Sequence, residues 1–586
     1  MDDSAFYNGQ QLDQKEEELD QEELISKESP SSSYNERWSF EDLLRAVGPM
    51  GWWQLNMLFW IMTFSFFSSS VSLTVLYYQI TPPHSCLVRG GFPPSSNWTV
   101  EQQLMISSPK AVEANGKAQY DACYHWDANF TALSSSFNEA YEELSALNAT
   151  KGTTTCKAWR YNRSIDMRTT AVTDFDLVCD RRFGAEYSQS IYYFGYLFGA
   201  LAGGLLSDRM GRKWPSVIFG LVTFASAVST AFVPNLLMLL VVRFFVAAFV
   251  NAFEVVVYVL IMEWTTSRWR VWIGALFFMP WSSAYVFVSL VAYWLRDWRH
   301  LTLVGGAPCI VALLLIWLLP ESPRWLLSQG RIEQGKRTLL QAARWNGGKL
   351  PEHIDLASVG QQLQEKDQAS RESILHVFAF AGGCRLKHPT LVLRAFILVF
   401  IWFVTALVYY GISLNVVNFA GSPFLNNAIS GAVEIPGNLL CLPLMWLGRK
   451  RALLLSLSLG GLCLLGIPWL PAAGGGDLNF AFAMLGKTII VVAFNVIFVV
   501  TTEIYPTTVR NSGLSTSICV SRLGSMLAPF ASSIGKFDPR LSWAPPVVFG
   551  AFSIAAAVST LFLPETKGKR LPEHLNDDDQ FTDEVV

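Results

Sequence analysis

The chain has 586 residues, of which 51% are hydrophobic and only 16% charged, and its mean hydropathy is +0.30. A soluble protein of this length carries more charge and divides into several domains, and a net charge of −3 gives no footing for nucleic-acid binding. The apolar residues fall in runs of about 20, enough for a helix to cross a bilayer with every backbone polar group paired inside the helix.

Residues 1–50 read as an acidic, disordered tail. They carry Glu16, Glu17 and Glu18 and a serine patch at Ser31 to Ser33, with neither the basic start nor the early apolar core of a secretory signal. The first apolar run is Leu55–Tyr78, and a long polar loop, 79–186, follows it. Five runs come next, at Ser188–Leu206, Trp214–Phe232, Leu237–Met262, Trp272–Trp294 and Thr302–Leu319, completing a first half, 51–320. A charged, helix-prone linker covers 321–389. Six more runs, at Thr390–Ser413, Phe424–Leu447, Ala452–Leu470, Phe480–Thr502, Thr516–Ile534 and Ala544–Leu563, form a second half, 390–563, before an acidic tail at 564–586. The expectation is therefore an all-α polytopic membrane protein with twelve spans, split six and six.

Lysine and arginine in the short loops set the orientation. Arg209, Arg212 and Lys213 lie between spans two and three, Arg268 and Arg270 between four and five, and Arg449, Lys450 and Arg451 between eight and nine. These loops share one face, which the charge rule makes cytoplasmic together with both termini. The loop 79–186 is then outside. It carries Cys86, Cys123, Cys156 and Cys179, which suggest two disulfides with three pairings open, and four glycosylation sequons at Asn97, Asn129, Asn148 and Asn162.

The loop after span two contains Gly204, Asp208, Arg209, Gly211, Arg212 and Lys213. Its glycines would let helices and a turn approach closely. Asp208 would pair with arginine or sit at a helix N-terminus, forming a charged latch that transport must break. This loop resembles the signature of the major facilitator superfamily. The sequence Pro320-Glu321-Ser322-Pro323-Arg324-Trp325 follows span six. Then come Glu503, Tyr505, Pro506, Arg510 and Asn511, next Ser521, Arg522, Gly524 and Ser525, and finally Pro564-Glu565-Thr566-Lys567-Gly568. This ordered set resembles the organic cation, organic anion and carnitine/zwitterion transporter family (solute carrier family 22) from about Arg45 to Arg570. The resemblance implies the major facilitator fold, two six-helix bundles with a site between them, and alternating access.

Ionisable groups at membrane depth face a cavity or a partner. Glu254 lies in span four, Glu434 in span eight and Arg522 in span eleven. By resemblance, cation-transporting members carry Asp where Arg522 stands, while anion and carnitine-type members carry Arg, whose fork suits a carboxylate. Structural alternatives are an Arg522–Glu neutral pair, a Glu254 partnership with Arg243 or Arg394, and a Glu434 that satisfies the helix opened by Pro436. Trp402 and Tyr409, two turns apart on span seven, share a face and match aromatic pocket positions of cation-transporting members.

Two features depart from the family pattern. The second-half copy of the signature loop has Met445 and Trp446 where an Asp-Arg pair is usual, and the outside loop has four cysteines where six are common. The expected function is plasma-membrane transport of small organic ions that bear a carboxylate, organic anions or carnitine-like zwitterions. The alternatives are an organic cation transporter and a non-transporting receptor or scaffold on the same fold. There is no complete Walker phosphate loop, Gly-x4-Gly-Lys-Ser/Thr, and no Cys/His cluster at metal-ligand spacing, and Gly474 to Gly476 read as a short outside loop. No enzyme, cofactor or nucleic-acid partner is therefore expected; the partners are the substrate and the lipid bilayer.

Overall fold

The computed structural model describes residues 38–572 apart from 89–90, 94–96, 115–116, 149–151, 163–166, 311–318, 352–353, 370–379, 382–384, 387–388, 420, 471–474, 507–508, 537–540, 542 and 570–571. The readings at Glu16 to Glu18, Ser31 to Ser33, Gly474, most of the end of span six and the acidic C-terminal tail lie outside the described residues.

Helix α1 (Phe40–Val47) falls inside the stretch read as a disordered tail. A local cap explains it: Ser39 Oγ accepts from the Asp42 N–H, and the Asp42 carboxylate accepts back from the Ser39 N–H. Leu43, Leu44 and Val47 then share one face and are buried against the first half. Glu41 adds a bond to the Ser267 N–H at 2.8 Å.

The first-half spans are α2 (Trp52–Leu73, extended by Val75–Tyr78), α3 (Gly184–Met210), α4 (Lys213–Thr230), α5 (Leu236–Glu263), α6 with α7 (Ser267–Leu276, Met279–Leu295) and α8 (Trp298–Gly306). The linker holds α9 (Pro323–Ser328), α10 (Ile332–Asn346) and α11 (Leu356–Ala369). The second-half spans are α12 (Pro389–Asn415), α13 with α14 (Pro423–Ala432, Glu434–Met445), α15 (Arg449–Gly466), α16 (Gly475–Ile504), α17 (Arg510–Ser532) and α18 (Ala544–Thr560). Eight of these spans are long and apolar enough to cross a membrane, and α18 is a shorter apolar helix. Helices α4, α8 and α17 fill the remaining span positions. Because α16 begins at Gly475, two of the three glycines read as loop lie in its first turn. Each half has its own apolar core.

Close helix packing depends on glycine in three turns of α3. A Cβ added at Gly195, Gly199 or Gly203 would sit 2.4 Å from the Phe244 carbonyl oxygen, 2.0 Å from the Ala248 carbonyl oxygen or 2.8 Å from Ala252 Cα. This is the small-residue stripe of a membrane helix pair, α3 against α5. Gly204, read as one of the approach glycines, lies one position off that stripe, and nothing would meet its Cβ within 4 Å. That expectation is corrected.

The large loop departs from all-α structure. Antiparallel strand pairs join His84–Cys86 to Trp159–Tyr161 and Tyr124–Trp126 to Thr153–Thr155. Two disulfides, Cys86–Cys156 and Cys123–Cys179, close long chain loops in a small domain with little core of its own. That core is Val88, Trp98, Ile106, Phe130, Ala140 and Leu144. Asn97, Asn129 and Asn162 are exposed, and Asn148 ends the helix Phe137–Asn148. The loop is tied to the start of α8, where Asp174 accepts from Trp298 Nε1 at 3.0 Å and pairs with Arg299 at 3.2 Å. This side of the molecule is called the loop face, and the side carrying α9 to α11 the linker face.

Candidate functional site

Two charged clusters lie between the halves, and the first is built where span eight breaks. The helix stops at Ala432 and restarts at Glu434, with Pro436 unable to donate into the first turn. Glu434 thus sits at a helix N-terminus, where the backbone dipole favours its negative charge. Its Oε1 is 2.7 Å from Lys487 Nζ of α16 and accepts from Tyr409 OH at 2.8 Å, while Oε2 accepts from Ser282 Oγ of α7 at 3.2 Å. Lys487 also donates to Ser430 Oγ at 2.6 Å and lies 4.6 Å from the Tyr285 ring centroid. Trp281 Nε1 donates to Tyr409 OH at 3.0 Å. Lys487 is completely buried and Glu434 only 2% exposed.

The second cluster surrounds Arg522. Its Nη1 donates to Tyr410 OH at 3.3 Å, and its guanidinium carbon is 5.2 Å from the Tyr196 ring centroid. Tyr193 packs on Tyr410 at 4.7 Å, and Tyr410 on Tyr409 at 5.0 Å, so aromatic rings connect the two clusters. Arg522 Nε is buried without a hydrogen-bond partner, and among the described residues no carboxylate lies within 4 Å of the guanidinium. Glu254 accepts from Ser68 Oγ at 3.1 Å and lies within electrostatic reach of Arg522.

The geometry answers several of the sequence alternatives. Glu434 is neutralised by Lys487, which the sequence reading passed over although a lone lysine in the apolar run 480–502 marks a functional or paired site. Arg243 is not the partner of Glu254; it bonds Tyr78 OH and Gln189 Oε1 and lies over the Tyr78 and Tyr192 rings. Trp402 and Tyr409 do share a face, since both pack on Phe494. Trp402, however, is enclosed in the second-half core with its Nε1 bonded to Thr501 Oγ1 at 2.9 Å, so it lines no cavity here. Tyr193, Tyr196, Tyr285 and Ser68 were not legible, because nothing in a 13% aromatic chain marks which rings turn inward.

Contacts between the halves concentrate on the loop face. Asn427 Nδ2 donates to Tyr77 OH at 2.9 Å and to Ser289 Oγ at 3.0 Å, and Tyr77 stacks on Phe424 at 5.6 Å. Ser533 Oγ donates to Glu186 Oε1 at 2.5 Å, and Ser190 Oγ to the Met526 carbonyl oxygen at 2.7 Å.

At the linker face each half ends in a latch of its own. Arg212 pairs with Asp208 at 3.1 Å and through two nitrogens with Glu263, at 3.2 and 3.1 Å. The Glu321 carboxylate accepts the Arg212 and Lys213 N–H groups, at 2.7 and 3.2 Å. Gly211, at φ +89°, leaves room for Glu321, since its Cβ would stand 2.4 Å from Oε2. Arg209 is exposed. The second half repeats the plan with Gly448 at φ +122°, Arg449 3.3 Å from Glu503, and Glu565 accepting the Arg449 N–H at 2.8 Å. Burial opposes the Glu565 charge, but the backbone N–H groups of Lys567, Arg449, Lys450 and Thr566 outweigh it and hold the group below the usual carboxylate range. The Asp208 and Arg209 positions are missing, at Met445 and Trp446, but the Arg449–Glu503 and Glu565 contacts remain, so the second latch keeps more than the sequence suggested.

Comparison with known proteins agrees with this architecture. The sequence model described as sugar (and other) transporter matches residues 126–576. An "Organic cation transporter protein" of Drosophila melanogaster is 33% identical over 469 residues, 79% of this chain and 82% of that protein. "Solute carrier family 22 member 6" of Rattus norvegicus is 30% identical over 547 residues, 92% and 94% of the two chains, and "Solute carrier family 22 member 13" of Homo sapiens is 30% identical over 545 residues, 92% and 93%. Among solved structures, the major facilitator proton:xylose symporter XylE bound to 6-bromo-6-deoxy-D-glucose aligns with a TM-score of 0.51 and 20% identity, covering 68% of this chain and 89% of that one. The inward open conformation of XylE from E. coli aligns with a TM-score of 0.50 and 18% identity, over 70% and 93%. This likeness shows the fold.

Proposed function

Because the chain belongs to the sugar (and other) transporter family and, within it, to solute carrier family 22, we propose that this multi-pass transporter of organic ions, which is not an enzyme, favours ions that bear a carboxylate. Organic anions and carnitine-like zwitterions are its substrate classes. The observation that carries this reading is Arg522, a guanidinium between the halves whose neighbours are tyrosines and whose Nε has no acceptor. An arginine so placed is stabilised by an incoming carboxylate through two parallel hydrogen bonds. In a zwitterion the ammonium group turns to Glu254, because Glu434 already holds Lys487. Tyr409 acts through Glu434, and Trp402 supports the span-seven face from behind.

The protein sits in the plasma membrane with the loop face outside, glycosylated at Asn97, Asn129, Asn148 and Asn162, and with both termini in the cytoplasm. The loop-face contacts of Tyr77, Asn427, Glu186 and Ser533 form the outer gate, and the Asp208–Arg212–Glu263 latch biases the inner one. An organic cation transporter is favoured by Glu254 and the ring cluster and opposed by Arg522. A non-transporting receptor or scaffold rests on the Met445-Trp446 departure and is weakened by the Arg449–Glu503 pair.

The test compares uptake of hippurate and of tetraethylammonium at equal surface expression. Arg522→Lys keeps the charge and loses the fork, so hippurate uptake falls several-fold; Arg522→Asp abolishes it. Undiminished hippurate uptake by Arg522→Asp would make Arg522 a purely structural charge.

A further inference from the structure

The charges between the two halves balance while the site is empty, and a ligand with a net charge upsets that balance. Glu434 and Lys487 form a buried neutral pair, leaving Glu254 on α5 and Arg522 on α17 as the remaining opposite charges of the central space among the described residues. They belong to different halves, so each conformational change carries one past the other. The groups that face Glu254 are Ser68 from α2, Tyr192 and Tyr196 from α3 and Arg522 from α17, with no lysine or histidine among them. Arg243, on the same helix as Glu254, is held by Tyr78 and Gln189.

We infer that a net anion enters together with one proton, bound on Glu254, whereas a zwitterion enters without one. This inference rests on the reading that Arg522 receives the carboxylate. An anion on Arg522 takes the cation that, among the described residues, offsets Glu254 and leaves the space with one net negative charge. An uncompensated charge at that depth is expensive. A proton from water on the loading side forms an O–H bond on Glu254 and restores neutrality. On the opposite face the carboxylate leaves Arg522, Arg522 again offsets Glu254, and the proton returns to water. One anion and one proton have then moved in the same direction. A zwitterion supplies its own cation: its carboxylate meets Arg522, its ammonium meets Glu254, and no proton is needed. Substrate charge therefore sets proton stoichiometry, with Glu254 as the group that reads it.

The test uses the purified full chain in phosphatidylcholine liposomes at zero membrane potential, with radiolabelled hippurate and carnitine and an outside pH one unit below the inside. Protein-free liposomes supply the background. Hippurate is expected to accumulate about tenfold per pH unit, while carnitine uptake is unmoved by the gradient. Glu254→Gln removes the effect of the gradient on hippurate, and Glu254→Asp preserves it. Wild-type hippurate uptake that ignores the gradient overturns the inference, as does a full pH drive in Glu254→Gln or a pH-driven carnitine uptake. If neither compound enters, the substrate reading fails and the inference falls with it. Hippurate entry without pH drive leaves the substrate reading standing and removes only the proton.

Discussion

Replacing Lys487 by Met probes the most deeply buried charge pair among the described residues. The lysine Nζ is 2.7 Å from Glu434 Oε1 and 2.6 Å from Ser430 Oγ, and neither member of the pair is open to solvent. Removing one partner of such a pair costs about 3–5 kcal/mol, because the surviving charge keeps its desolvation penalty and loses its counter-charge. Tyr409 and Ser282 still donate to Glu434 in the variant, which favours the lower end of that range. Removing both charges, as Lys487→Met with Glu434→Gln, replaces the pair by groups of similar volume and should cost about 1–2 kcal/mol; with Glu434→Gln alone costing about as much as Lys487→Met, the coupling in the double-mutant cycle is about 4 kcal/mol. The assay is thermal unfolding of detergent-purified protein at one fixed scan rate, because unfolding of a protein of this kind is commonly irreversible. The order expected is wild type, then the double variant, then Lys487→Met. A single variant as stable as wild type, or a double variant no better than the single one, would refute the reasoning.

Three further outcomes are expected. Gly199→Ala should lower folded yield, costing about 1–3 kcal/mol of overpacking against the Ala248 carbonyl, whereas Gly204→Ala should be neutral or slightly stabilising in the same size-exclusion and thermal assays. In the first-half latch, Asp208 is 73% exposed and Glu263 only 11%; Glu263→Gln should therefore slow saturated transport more than Asp208→Asn, with little change in KM from either, and equal effects would count against the latch. Peptide mapping under non-reducing conditions should recover Cys86 with Cys156 and Cys123 with Cys179, and glycosidase treatment should reduce the apparent mass; any other pairing contradicts the loop fold.

The spans were legible because each is a long apolar run: Leu237–Met262 against the observed Leu236–Glu263, and Thr390–Ser413 against Pro389–Asn415. What was not legible depends on which way a side chain turns or on contacts far apart in sequence. Gly204 differs from Gly203 by one helical position, about 100° of rotation, and only Gly203 meets Ala252. Lys487 is a single charged letter in an apolar run, and its partner stands in another span. The disulfides join cysteines 70 and 56 residues apart, and composition alone does not say which of the four meet. Helix α1 was hidden by the acidic tail before it, although Ser39 and Asp42 announced its cap.

The most direct test of the account is an uptake screen of the wild-type chain, with surface expression confirmed, using labelled carnitine, hippurate and tetraethylammonium. The account predicts entry of carnitine or hippurate, or both, in preference to tetraethylammonium. Entry of tetraethylammonium alone would contradict the role given to Arg522, and entry of none would favour the receptor.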